Sequence, residues 1–205
     1  VWKTALLAGA LTWLSVGLFI VAHDAMHGSL APVRPALGRR IGGIALFLYA
    51  CFSFDRLLPQ HHAHHHAPGT AADPDFSVSY PRHPGRWYGQ FMATYFGRRE
   101  ALLMTARVAV CALLGAPVEN ILMFFALPGL LSSFQLFLFG TYLPHHHCQE
   151  AFADHHRARS NNYPVWLSLM TCFHFGYHHE HHLFPHVPWW RLPLMQRLQA
   201  ERGRP

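Results

Sequence analysis

The run from Thr4 to Ala22 carries no formal charge and leads directly into His23, Asp24 and His27. At about 1.5 Å of rise per helical residue, such a run crosses a hydrocarbon core of roughly 30 Å. A second long apolar run, Ile121 to Leu143, is broken only by Pro128, Gly129 and scattered Ser, Thr and Gln. Of the 205 residues 51% are hydrophobic and 13% charged, about half the charge of a typical soluble domain. That balance excludes a disordered chain, a disulfide-stapled secreted module and an ordinary soluble enzyme. The expected fold is all-α, an integral membrane helical bundle built as one domain over residues 1–205. The chain begins at Val1 and not at Met, so an N-terminal piece, with a further span, is expected to be missing.

Between the two runs the topology follows from parity. Ala101 to Ala116 is a shorter apolar segment carrying Arg107, whose side chain is expected to snorkel to the interface. Pro117-Val118-Glu119-Asn120 would turn it into a hairpin with the Ile121–Leu143 run. Ile41 to Leu58 is apolar enough to span, but Gly42, Gly43, Ser53 and Asp55 weaken it. A crossing there would separate the histidine motifs on its two sides, so it reads as an interfacial or half-inserted helix. Arg34, Arg39, Arg40, Arg56, Arg82, Arg86, Arg98, Arg99, Arg157, Arg159 and Arg191 then fall on the histidine side, and the far loop has no arginine. By the positive-inside rule the histidine face is cytoplasmic.

Nineteen residues are histidine, against ten Asp and Glu together. They concentrate in His23-x-x-x-His27, His61-His-Ala-His64-His65 and His178-His-Glu-His181-His182, each at an expected membrane exit. An i, i+4 pair on a helix puts two imidazoles on one face a turn apart, and in H-x-x-H-H the positions i, i+3 and i+4 converge on one side. Three such boxes point to metal. The absence of Glu-x-x-His counts against a carboxylate-bridged di-iron bundle, and that of His-Glu-x-x-His against a metalloprotease-type zinc site. Eight imidazoles are too many for one catalytic zinc, which takes three protein ligands. Eight or nine nitrogens do divide between two ions with positions left open, and imidazole chemistry alone does not choose among Zn, Cu, Fe and Ni. A ninth donor is expected from Asp154–Ser160, which holds His155 and His156. Asp24, Asp154 and Glu180 are candidates to orient ring N–H groups from outside the ions. The remaining histidines read as surface or hydrogen-bonding residues, with His145 and His174 nearest the boxes. The four separated cysteines read as packing residues in a reducing compartment.

With these boxes in view, longer strings become informative: Leu11–Ser29 (LTWLSVGLFIVAHDAMHGS), Pro68-Gly-Thr, Asp73-Pro-Asp-Phe76 and Phe139–His145 (FGTYLPH). Ala158-Arg-Ser160, Thr171–Leu183 (TCFHFGYHHEHHL) and Pro188-Trp-Trp-Arg-Leu-Pro193 complete them. Together they resemble the membrane fatty-acid-desaturase superfamily and, within it, the bacterial beta-carotene ketolases. The resemblance implies a non-haem enzyme with two iron ions, O2 as co-substrate and reduced ferredoxin as electron donor. It implies oxidation of the ring methylene at the 4-position of beta-carotene, by two hydroxylations and loss of water, to echinenone and then canthaxanthin. It implies His23, His27, His61, His64, His65, His178, His181 and His182 as catalytic metal ligands, with His156 preferred over His155 to complete the set. It also implies a bacterial inner-membrane location. His66 and His146-His147-Cys148 depart from the family pattern.

The net charge of +6 suits an acidic ferredoxin and an anionic membrane surface; nucleic acid fits poorly, since the arginines do not cluster with polar or aromatic residues on a soluble face. A long hydrocarbon substrate dissolved in the bilayer predicts an apolar tunnel to the metals, with Phe19, Phe124, Phe134, Phe137 and Phe139 as lining candidates. Trp189 and Trp190 are expected at headgroup level. A fatty acyl desaturase or carotenoid hydroxylase would share the same boxes. A non-catalytic membrane metal-binding or transport protein is the third reading, disfavoured because its ionisable groups would lie in mid-span.

Overall fold

The computed structural model describes residues 2–148 and 151–202, and among them every regular element is helical. Helix α1 (Trp2–Met26) prolongs the first uncharged run so that His23 still lies within it. It is long and apolar enough to cross a membrane. Its one buried hydroxyl is satisfied internally, Thr12 donating to the Ala8 carbonyl at 2.8 Å. At Gly17 the Phe173 ring approaches closely, since a Cβ there would stand 2.8 Å from it.

The second candidate span is a single run, Val118–His145. It joins α6 (Val118–Ile121), α7 (Leu127–Phe137) and α8 (Leu143–His145) through π-helical turns at Leu122–Ala126 and Leu138–Tyr142. Each wide turn ends one residue before the residue that precedes a proline, Pro128 or Pro144. The Leu127 and Leu143 amides reach back five residues, to the Leu122 and Leu138 carbonyls. A proline ring clashes with the carbonyl four residues earlier, and a widened turn moves that carbonyl aside without ending the helix.

Helix α5 (Arg98–Leu113) has 16 residues, only about 24 Å of rise, so the expected hairpin has one short leg and one long one. Its turn also starts earlier than the sequence suggested: Val118 to Asn120 already belong to α6, and Gly115, at φ 86°, makes the reversal.

The ambiguous segment resolves into α2 (Pro35–Ala50) and α3 (Phe54–His66), bent by 97° to each other. The break falls at Cys51, whose φ of 56° stops the helix. Two arginines donate to carbonyls at this break, where Phe47 also accepts the Cys51 N–H at 3.0 Å. Arg107 donates to Leu48 at 2.9 Å and to Phe47 at 2.5 Å, and Arg99 donates to Cys51 at 2.9 Å. Arg107 thus closes the C-terminus of α2, where the helix dipole favours a cation.

Helices α4 (Pro84–Tyr95), α9 (Val165–Cys172), α10 (His178–Leu183) and α11 (Leu192–Arg202) complete the fold. Ala22, Met26, Ala45, Leu46, Phe54 and Leu57 form one buried cluster joining α1, α2 and α3. Val16, Ile20, Leu136, Cys172, Phe173 and Phe175 form the main cluster beside the cavity, which fastens α1 and α7 to the segment preceding α10. A third cluster of Phe76, Trp87 and Phe137 holds the loop before α4. There the Trp87 indole N–H donates to the Asp75 carbonyl at 2.7 Å. Trp189 points inward, packed at 5.2 Å on Phe173, whereas Trp190 is 48% exposed.

Candidate metal centre

Histidines from α1, α3, α8 and α10 converge into two adjacent groups, together with His27 just past the end of α1. His23, His27, His61, His65 and His181 form the first, and His64, His145, His178 and His182 the second. Within each group the donor atoms all lie within 4.8 Å of one another. The rings face inward by Nε2: His27 to His61 at 2.6 Å, His65 to His181 at 3.0 Å, His145 to His178 at 3.0 Å, and His178 to His182 at 3.1 Å.

Helical geometry explains how the boxes divide. Every i, i+4 pair enters one group: His23 with His27, His61 with His65, His178 with His182. The i+3 residue of each H-x-x-H-H box, His64 or His181, enters the other. At 3.6 residues per turn, positions three and four apart lie on opposite flanks of the same face. One short helix thus serves two neighbouring sites.

The donor set fits metal ions. Both ring nitrogens of His23 are buried with no protein partner, a costly state for a polar group unless something else satisfies them. Nitrogens 2.6 Å apart can share a single proton, but four or five lone pairs aimed at one point cannot all do so. Burial, and then crowding by other imidazoles, holds His178, His181 and His182 well below the usual histidine range. These three rings are therefore neutral, which is the state that ligates metal.

The structure brings together eight of the sequence-named donors: His23, His27, His61, His64, His65, His178, His181 and His182. His156 joins neither group; its ring centre stands 6.0 Å from that of His182 and packs beside His155. His145, at the end of the second span, is the ninth histidine of the two groups. The sequence offered it only as a box-adjacent histidine, beside His174, and as the last residue of the Phe139–His145 string, because no box spacing includes it.

The three named carboxylates do other work. Asp24 is 3.7 Å from His23 Nδ1, beyond hydrogen-bonding reach, and accepts the Trp189 backbone N–H at 3.0 Å. Asp154 accepts from His179 Nε2 at 2.8 Å and from the His156 backbone N–H at 2.9 Å. Glu180 accepts from the Ser160 hydroxyl. The carboxylate that does touch a ring of either group is Asp73, whose oxygens lie 3.0 and 3.1 Å from His64 Nδ1. Asp75 follows it, 3.7 Å from the same nitrogen, and accepts from the Tyr95 hydroxyl. Burial raises the pKa of the Asp75 carboxyl and of the Tyr95 hydroxyl alike.

An apolar cavity of about 680 Å³ ends at this centre. Its inner wall includes His23, His61, His64, His65 and His178; its flanks include Phe19, Tyr49, Phe91, Met104, Leu136 and Phe175. Leu130 lines it and is 62% exposed, which places the mouth between α5 and the Val118–His145 run. Of the phenylalanines expected along a tunnel only Phe19 is there. Phe137 is buried against Trp87, Phe139 packs on the main cluster, and Phe134 is 42% exposed. Sequence shows that a helix is apolar, but not which of its sides meets lipid, core or cavity.

The profile of the family described as fatty acid desaturase matches residues 1–105 and 89–204. A protein named beta-carotene ketolase from Paracoccus sp. (strain PC1) is 55% identical over 93% of the chain and 78% of its own length. One of the same name from Paracoccus sp. (strain N81106 / MBIC 01143) is 54% identical over 89% of the chain and 75% of its own length. A beta-carotene 4-ketolase from Protosiphon botryoides is 40% identical over the whole chain and 54% of its own length. No solved structure matches.

Proposed function

Because the chain belongs to the fatty acid desaturase family, we propose that it is a membrane di-iron oxygenase that converts the 4-methylene of beta-carotene rings to a ketone, with O2 and reduced ferredoxin as co-substrates. One observation carries this reading above others: two groups of inward-facing imidazoles stand side by side, and five of those histidines line an apolar cavity. The names of the relatives support the carotenoid substrate, and the cavity's lining suits a hydrocarbon ring.

His23, His27, His61, His65 and His181 would hold one iron, and His64, His145, His178 and His182 the other. His156, which the family resemblance suggested for the ninth place, is not needed once His145 is counted. Bound there, the irons would supply the activation of O2 that side chains lack.

The chain's own residues do the rest. The mouth near Leu130 admits one ring end from the lipid, and the polyene trails outward. Phe19, Leu136 and Phe175 exclude water and hold the ring against the histidine wall, so that positioning contributes to selectivity between carbons. Each hydroxylation consumes one O2, two electrons and two protons and releases one water. Two in succession at the same carbon yield a geminal diol, which loses a third water to leave the ketone.

Ferredoxin would deliver the electrons at the arginine-rich face, which the positive-inside rule makes cytoplasmic, in a bacterial inner membrane. Expression in bacteria that accumulate beta-carotene tests the reading directly. Echinenone and canthaxanthin are the expected pigments. Hydroxylated yellow carotenoids would point to the hydroxylase alternative, and unchanged pigment with altered lipids to an acyl desaturase. Unchanged pigment and lipids together would leave a metal-binding role.

A further inference from the structure

Among the described residues, two rings of the second histidine group, His64 and His145, are held from outside by protein, and none of the first group is. His64 Nδ1–H donates to Asp73, whose side chain is 1% exposed. The same carboxylate accepts the backbone N–H groups of Gly69 and Asp75, each at 2.8 Å. Across the group, His145 Nδ1–H donates to the Arg157 carbonyl at 2.7 Å. The two halves meet where the Arg157 guanidinium donates to the Gly69 carbonyl at 3.3 Å. Arg157 (φ 44°) and Gly69 (φ 65°) both sit in the left-handed region. That conformation is disfavoured for arginine and persists only where surroundings over-determine it. An unbroken chain of contacts therefore runs His64, Asp73, Gly69, Arg157, His145. Among the described residues no carboxylate or carbonyl takes a ring N–H from His23, His27, His61, His65 or His181.

Building on the two-ion reading, we propose that Asp73 and the Arg157 carbonyl are joint positioning groups for the His64–His145–His178–His182 site, and that this brace makes the two metal positions unequal. At one position the outer network sets tautomer and direction for two of the four rings, His64 and His145, while His178 Nδ1 and His182 Nδ1 are buried without a partner. At the other no ring has such an acceptor among the described residues. Loss of an outer acceptor at a histidine ligand typically weakens metal binding 10–100-fold. Here that loss falls on a single ion.

The test is a cobalt(II) titration of the full chain, purified without metal in detergent, followed by the visible spectrum and by metal per chain. The unaltered protein takes up two equivalents. In Asp73→Asn, the amide offers one acceptor oxygen where the carboxylate offers two, and its NH2 group opposes one of the present donors. One equivalent then binds about 10–100-fold more weakly, while the other is unchanged and reports that the fold is intact. Arg157→Gly keeps the backbone path but removes the link to Gly69, so it weakens the same equivalent to a smaller degree. His27→Ala weakens the other equivalent, and the His27→Ala, Asp73→Asn pair weakens both. Unchanged binding in Asp73→Asn, or equal loss of both equivalents, overturns the brace. Fewer than two equivalents in the unaltered chain overturns the two-ion reading itself, and the brace with it.

Discussion

His64 and His65 follow one another on α3, yet His64 joins His145, His178 and His182 while His65 joins His23, His27, His61 and His181. Adjacent rings on a helix diverge by about 100°, so one box can feed two sites only if those sites flank the helix axis. Both H-x-x-H-H boxes behave this way. The spacing that looks like one chelating face is in fact a divider.

Since His181 is the first group's only donor from α10, it is the sharpest single test of that group. His181→Ala should abolish turnover and reduce bound iron, whereas His83→Ala, an exposed residue outside both groups, should change neither. Iron analysis alongside pigment yield checks both. Full ketocarotenoid yield from the His181 variant would contradict the ligand reading.

His145 and His156 compete for the ninth place, and their variants should separate cleanly. With His145→Ala, ketone formation is expected to fall by at least about a hundredfold, in line with losing a positioned active-site group, together with part of the bound metal. His156→Ala should keep its metal content, because that ring belongs to neither group. A reversed order would restore His156 as the donor.

Metal-free protein should be acid-sensitive. His178, His181 and His182 are held below the usual range by burial. The unfolded chain, with imidazole pKa near 6.5, therefore binds more protons than the folded one at acidic pH. The stability these groups contribute is complete above the unfolded pKa and is lost progressively as pH falls below it. Thermal unfolding of the metal-free chain should be flat from about pH 8 to about pH 7 and drop steadily below about pH 6.5. Bound metal should move that drop to lower pH, because protons must displace the ion first.

Gly129 lines the cavity, and nothing stands within 4 Å of a Cβ built there. Gly129→Phe should therefore fill the passage without straining the helix, where glycine is itself unfavourable. Turnover on beta-carotene is expected to fall by about a hundredfold while metal content stays at the unaltered level. Parallel loss of metal would show that the site itself had been disturbed.

Removing the Arg107 guanidinium takes its hydrogen bonds from the Leu48 and Phe47 carbonyls at the end of α2, leaving Phe47 with only the Cys51 N–H. Arg107→Leu should destabilise the chain by about 2 kcal/mol, the scale of hydrogen bonds from a charged group. A lowered unfolding temperature with unaltered metal stoichiometry is the expected outcome. If Arg107 merely snorkels to an interface, leucine will cost little.

Much of this protein is readable without coordinates, because lipid solvent and helical periodicity act locally. The apolar runs at Thr4–Ala22 and Ile121–Leu143 specify helices long enough to span. The box spacings specify which rings share a helix face, and Gly42, Gly43, Ser53 and Asp55 mark the segment that bends. What lies beyond reach is everything set by how the helices pack. His145 is separated from the other rings of its group by whole elements, and Arg157 from Gly69 by 88 positions; Asp73 and Arg157 reach His64 and His145 only because the loops after α3 and α8 fold back. The choice of Phe19 and Phe175 over Phe134, Phe137 and Phe139 for the cavity wall is likewise a matter of which helix side meets which neighbour. Periodicity encodes direction around a single axis; the assignment of nine rings to two centres needs the relative placement of four axes, and only long-range packing supplies it.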